Sequence, residues 1–118
     1  MVLGFNPRFV DKILNGTKVH TIRADIHDRW KAGRSIQFAT GVRTKYYKQF
    51  KEGVCVSTQK IEIKYYGETP VIKVDNQKIG FAVPYLSLND GFETLGDFFE
   101  WFDKDFTGKI IHFTYKRY

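Results

Sequence analysis

Lys18, Thr21 and Arg23 place an amine, a hydroxyl and a guanidinium within six residues, in the stretch Gly16-Thr17-Lys18-Val19-His20-Thr21-Ile22-Arg23. Two chemistries suit this set. The cations can coordinate phosphate or carbonyl oxygens, the arginine as a bidentate fork. Alternatively, Thr21 is a nucleophile and Lys18 its base, which requires a mostly neutral amine. Burial and the neighbouring Arg23 charge both lower an amine's proton affinity. The plain alternative is an ordinary strand threonine between two solvated cations. On a strand, Thr21 and Arg23 share one face, and His20 and Ile22 the other. Lys18 joins Thr21 only from a helix–strand turn or a bulge.

The elements that must position these groups are legible in outline. Asn6-Pro7 reads as a helix start, because Asn caps well and Pro at the first helical position loses no needed hydrogen bond. Phe9, Val10, Ile13 and Leu14 then recur at helical spacing, with Arg8, Asp11, Lys12 and Asn15 facing outward. Gly16 supplies the left-handed residue that ends the helix. After a β-like run over 18–23, residues 24–34 are polar, with Trp30 as their one large apolar anchor and Gly33 as a turn. Residues 35–40 alternate as a strand with Ile36 and Phe38 on one face, and 41–53 read as an exposed basic loop or ribbon. Residues 54–65 predict one long bent strand with a bulge near Gln59-Lys60. Residues 70–74 and 78–83 flank Asp75-Asn76-Gln77 as a hairpin. Thr94 to Asp97 caps a second helix whose apolar face is Phe98, Phe99, Trp101 and Phe102, and 109–115 form a last strand.

The expected fold is therefore a small α+β domain on a curled sheet or barrel. It has about six strands and two short flanking helices, and residues 1–118 form one domain.

Charge narrows the class of partner. Residues 1–51 carry 11 Lys/Arg against 3 Asp/Glu, and residues 52–118 carry 8 against 10, so the net +6 is concentrated where Lys18 and Arg23 lie. A one-sided positive field attracts polyanions and points to nucleic acid. Within it, Arg43, Lys45, Tyr46, Tyr47, Lys48 and Lys51 interleave cations with aromatics, as an accessory surface that neutralises phosphates and stacks unpaired bases. The acidic stretch from Asp90 to Asp105 reads mainly as a solvated helix face. Asp90 is the exception. Ahead of Gly91 in a loop, it is expected to face the cationic cleft and orient Lys18 or bind a base edge.

His20, His27 and His112 show no metal-binding spacing, so no metal and no cofactor are expected, and the histidines read as structural or surface residues. Cys55 is the sole cysteine, which fits a reducing, cytoplasmic setting. No signal-like start and no apolar run of ~20 residues is present, so no membrane partner is expected.

The span from Phe9 to Arg23, with Phe9, Ile13, Gly16, Lys18, Thr21 and Arg23, resembles the opening signature of the ASCH domains, a branch of the PUA-like superfamily. Arg29-Trp30-Lys31-Ala32-Gly33 with the Ile36–Phe38 strand resembles that family's second block. Asp90-Gly91-Phe92, the aromatic helix 98–102 and the run 108–113 resemble its closing blocks. The resemblance implies a PUA-like β-barrel with a cleft beside the first helix–strand junction, and a module that binds RNA. One branch resembles small amidohydrolases that remove acyl groups from the exocyclic nitrogen of cytidine through Lys, Thr and Glu. Lys18 and Thr21 match the first two positions, and Asp90 or Glu93 stands for the third.

Together these readings predict an RNA- or modified-nucleoside-binding domain whose cleft is lined by Lys18, Thr21, Arg23 and Asp90, with Arg8 reaching it from the helix. The alternative is an amidohydrolase of acylated cytidine, with Thr21 as nucleophile, Lys18 as base and Asp90 or Glu93 as acidic partner. An RNA nuclease using the same cleft ranks behind both.

Overall fold

Residues 1–118 are all described by the computed structural model. The chain is mixed α+β, with eight strands in two open sheets and three short α-helices. One sheet joins β1 (Val2–Gly4), β3 (Ser35–Thr40) and β4 (Lys48–Val54) in the order β1-β3-β4. The other joins β2 (His20–Arg23), β8 (Phe106–His112), β5 (Ser57–Tyr66), β6 (Thr69–Val74) and β7 (Gln77–Lys78), with β8 between β2 and β5. All neighbours are antiparallel except β1 and β3. The helices are α1 (Val10–Leu14), α2 (Val83–Asn89) and α3 (Leu95–Trp101).

Local chemistry starts these elements where the sequence places them. Asn6 accepts the Arg8 N–H at 3.0 Å, and Pro7 opens a single 3-10 turn that runs into α1. Thr94 accepts the Asp97 N–H at 3.0 Å at the head of α3. Asp75 and Asn76 hold φ of +50° and +69°, the left-handed pair that a two-residue hairpin turn requires between β6 and β7. Asp25 accepts the N–H groups of Arg29 and Trp30, folding the polar 24–34 segment so that the Trp30 ring enters the core.

Five expectations need correction. The strands number eight rather than about six, paired as two open sheets with no closed barrel among the pairings, and the helices are three rather than two. The supposed bent strand 54–65 is two strands. Its phase slip marks Cys55-Val56, where the chain leaves one sheet for the other, so Gln59, Ile61 and Ile63 form the buried set. The strand expected over 78–83 is only the two residues of β7. A 3-10 turn at Gly80–Ala82 then leads into α2, which was not foreseen. The first and last strands of the larger sheet begin at His20 and Phe106 rather than at 18 and 109. Finally, Lys48 and Lys51 belong to β4, so only the first part of the 43–51 segment is a loop.

The core joins both sheets through aromatic rings. Phe38, 1% exposed, lies between Phe5 (5.7 Å), Phe113 (4.8 Å) and Phe50 (6.2 Å between centroids). Phe5 also hydrogen-bonds Ala39 through its backbone N–H, so the end of β1 sits on the seam between the sheets. Removing the Phe38 ring leaves a cavity that rigid strands cannot close. Phe38→Ala is expected to cost about 3–5 kcal/mol in urea unfolding, with an unchanged denaturant slope.

Candidate functional site

The site assembles where the turn before β2, the end of α2 and the end of β1 meet. Helix α1 stops at Gly16, whose φ of +84° turns the chain back, and the Lys18 N–H bonds the Lys12 carbonyl at 2.9 Å. The Val19 N–H then bonds the Asn89 carbonyl, and the Val19 carbonyl accepts from Phe113, pinning this turn between α2 and the chain beyond β8. Lys18 therefore lies in the turn ahead of β2, free of the strand's alternation, and its side chain runs inward.

Asp90-Gly91-Phe92 is the C-terminal stop of α2. The Phe92 N–H bonds the Ser87 carbonyl and the Gly91 N–H bonds the Leu88 carbonyl, while Gly91 holds φ +93°. That is a Schellman motif, which needs a left-handed residue in the Gly91 position. The motif leaves the Asp90 carbonyl without a helical partner, and Lys18 Nζ donates to it at 2.5 Å. The same amine reaches Asp90 Oδ1 at 3.2 Å, and both side chains are almost fully buried. A Cβ on Gly91 would stand 3.0 Å from Lys18 Cδ and 3.1 Å from the Phe9 ring, so the glycine is also what lets Lys18 pass.

Thr21 and Arg23 share the face of β2 that looks into the same space. Arg23 Nε donates to Thr21 Oγ1 at 3.2 Å, its terminal nitrogen donates to the Gly4 carbonyl at 2.6 Å, and its guanidinium stacks 4.9 Å over Phe5. Lys18, Thr21, Arg23 and Asp90 line one cavity of about 240 Å³, walled by Phe5, Phe9, Phe92 and Trp101. Burial lowers the proton affinity of Lys18, and Asp90 opposes that shift through its charge and hydrogen bond.

Arg8 does not line the cavity. It is exposed, with its guanidinium over three rings of the lining, Phe9 at 5.1 Å, Phe92 at 5.6 Å and Trp101 at 6.0 Å. Glu93 is outside as well: it points to solvent and pairs with Lys12 at 3.6 Å, so Asp90 is the carboxylate beside Lys18. Arg43, Lys45, Tyr46, Tyr47, Lys48 and Lys51 are exposed along the 41–47 turn and β4. This ribbon flanks the cavity: Val42 sits against Gly4 of the lining, and Phe50 packs edge-on to Phe5 at 6.3 Å. No cluster of His, Cys, Asp or Glu is arranged to hold a metal ion, and no helix is long and apolar enough to cross a membrane.

His20 is the site residue that sequence reasoning missed. It is fully buried on the far face of β2, where its Nδ1 lies 3.0 Å from Asp90 Oδ1 and its Nε2 lies 2.6 Å from the Tyr118 hydroxyl. Asn89 donates to the same hydroxyl at 2.9 Å. Strand alternation did place His20 opposite Thr21, but only α2 brings Asp90 round to that side. The adjacent His112 packs edge-to-face on His20 at 5.4 Å and donates from Nε2 to Gln59 Oε1, which also accepts from the Tyr118 N–H. Its Nδ1 is buried without a partner.

Comparison of the chain with family models, with curated proteins and with solved structures gave no match.

The histidine pair gives a pH signature. Burial pushes the His112 proton affinity down from 6.5 to about 4, helped by the His20 ring and Arg117, and burial likewise lowers that of His20. The unfolded chain therefore binds more protons than the folded one between about pH 4 and 6.5. Stability is complete above that window and is lost as pH falls through it. Urea midpoints measured from pH 7 to pH 4 should decline, and His112→Gln should flatten the slope. A midpoint in the wild-type protein independent of pH over this range would contradict the assignment.

Proposed function

We propose that the chain is an ASCH-type, PUA-like domain that binds RNA or a modified nucleoside, with one base seated beside Lys18, Thr21, Arg23 and Asp90. The observation that carries this reading is the lining of the cavity: the polar groups of Lys18, Thr21, Arg23 and Asp90 share it with five aromatic side chains, Phe5, Phe9, Phe92, Trp101 and Phe102. A planar heterocycle presents the matching surface, apolar faces with a polar edge. At about 240 Å³ the cavity lies near the small end of ligand pockets, which begin at ~300 Å³, so it suits one ring system and not a stacked stretch. The exposed cations of the 43–51 ribbon beside it suit the phosphates of a longer strand. A PUA-like relationship between the two sheets belongs to the same reading, as does a cytoplasmic setting, in keeping with the free buried thiol of Cys55.

Titration of cytidine and of a short single-stranded RNA into the protein tests this. Thr21→Val and Arg23→Gln should each weaken both ligands about tenfold, near 1.4 kcal/mol. RNA affinity should fall steeply with added salt while cytidine affinity changes little. RNA binding that ignores salt and survives both substitutions would refute the reading.

A second reading, an amidohydrolase of acylated cytidine, has its own supporting observation. Thr21 and Lys18 line the same cavity, and the amine is buried so that its proton affinity drops. In that chemistry Thr21 Oγ attacks the acyl carbon, and Lys18 takes the hydroxyl proton and passes it to the leaving exocyclic nitrogen. Water then cleaves the threonyl ester, releasing the acid and restoring the hydroxyl. Incubation with N4-acetylcytidine should release acetate and cytidine, with all turnover lost in Thr21→Ala. An inactive wild-type protein across a panel of acylated nucleosides leaves the binding reading alone.

A further inference from the structure

We propose that Tyr118 and His20 are positioning residues of this pocket, acting in series on Asp90 and through Asp90 on the Lys18 amine. Neither lines the cavity. Both stand behind it in a row of hydrogen bonds whose direction is determined at each step.

The Asp90 carboxylate can only accept, so His20 Nδ1 carries the proton of their 3.0 Å contact. The neutral ring is then left with a bare Nε2, which accepts from the Tyr118 hydroxyl at 2.6 Å. Asn89 Nδ2 donates to the phenol oxygen at 2.9 Å, which leaves the phenol proton for His20. The row runs from Asn89 to Tyr118, to His20 and to Asp90, and every bond in it fixes the next.

Tyr118 is held there by a distant strand. Gln59 of β5 accepts from its N–H at 2.9 Å and donates to its carbonyl at 2.7 Å. The phenol is itself a poor acid in this setting, pushed up to about 12 by burial and by Asp90. It therefore serves as a fixed donor over the whole working pH range.

The consequence of losing the hydroxyl is specific. Without it Nε2 is a buried lone pair with no donor, and the ring, still giving its Nδ1 proton to Asp90, loses its second anchor, so the carboxylate is no longer held in its seat. The groups that face His20 are Asp90 and Asn89 from the end of α2, Lys18 from the turn, His112 from β8 and Tyr118. Those that face Lys18 are Asp90, Arg23 and Lys12, together with the Phe5 and Phe9 rings. Asp90 is the one anion in both sets, so its displacement registers on the lysine.

This inference rests on the proposed reading only for the claim that the cavity holds the ligand, and ligand-free NMR separates the two. The Nζ titration of Lys18 and the ring-nitrogen shifts of His20 are recorded for wild type, Tyr118→Phe, His20→Asn and His20→Gln. Tyr118→Phe keeps the ring that packs on both histidines. An asparagine amide occupies the place of Nδ1 and preserves the donor to Asp90, whereas a glutamine amide occupies that of Nε2 and does not. In Tyr118→Phe, His20 should keep its Nδ1–H tautomer while its Nε2 resonance moves to that of a ring nitrogen without a donor, and the Lys18 midpoint should fall by about one pH unit. His20→Gln should lower it similarly, and His20→Asn should restore it. A Lys18 midpoint unmoved in Tyr118→Phe and His20→Gln overturns the proposal, as does an equal shift in His20→Asn and His20→Gln. Loss of cytidine binding in the wild type, with these shifts intact, counts against the nucleoside reading alone.

Discussion

The burial of Lys18 against Asp90 is the constraint around which the rest of the molecule is arranged. Removing an ammonium and a carboxylate from water costs several kcal/mol each, and the pair is tolerated only where geometry and further hydrogen bonds compensate. Here the amine has the Asp90 carbonyl at 2.5 Å and Oδ1 at 3.2 Å, and His20 supplies a second donor to that oxygen. The carbonyl is one that the end of α2 leaves unsatisfied, so the helix terminus and the lysine solve each other's deficit. Three elements distant in sequence must therefore converge: the turn after α1, the end of α2 and strand β2. A protein with no need of a site could fill this position with apolar residues at lower cost.

The pair also explains where the cavity lies. Phe5, the residue after β1, lies on the seam between the sheets, beneath the Arg23 guanidinium at 4.9 Å and with its ring 5.9 Å from the Lys18 amine. The aromatic wall continues through Phe9, Phe92 and Trp101, rings from the first helical turn, the α2 stop and α3. The cavity thus combines aromatic walls with cations that lie over two of the rings, Lys18 over Phe9 at 4.7 Å and Arg23 over Phe5 at 4.9 Å. The basic 41–51 ribbon lies against the same seam through Val42 and Phe50, so the exposed cations and the cavity are neighbours in space.

Where chemistry was local, the sequence was legible. Asn6-Pro7, Thr94 and Asp75-Asn76 act on N–H groups or φ angles a few residues away, and each does what its type predicts. Ile36 and Phe38 on one face and Trp30 as an anchor needed only periodicity and bulk. Helix α2 was hidden because Val83-Pro84-Tyr85-Leu86-Ser87-Leu88 carries β-formers and shows little periodicity. Pro84 in its first turn and Asp90-Gly91 at its end were the available signals. The apparent bulge at Gln59-Lys60 misled because a chain crossing between sheets changes which face is inward, and a single strand with an extra residue shows the same slip.

Read without its fold, the chain determined that Lys18, Thr21 and Arg23 stand close together after a helix, and that Asp90 precedes a glycine able to turn the backbone. Those are properties of neighbours along the chain, set by side-chain type and allowed φ. Tertiary structure alone decided that Asp90 and not Glu93 meets Lys18, that Arg8 lies over the aromatic rings without lining the cavity, and that His20 and Tyr118 stand behind the carboxylate. The separations involved, 72 residues for Lys18 and Asp90 and 98 for His20 and Tyr118, exceed anything that periodicity encodes. Such contacts follow from how the sheets and helix ends share one core. That sharing depends on the burial of many side chains at once and on no single motif.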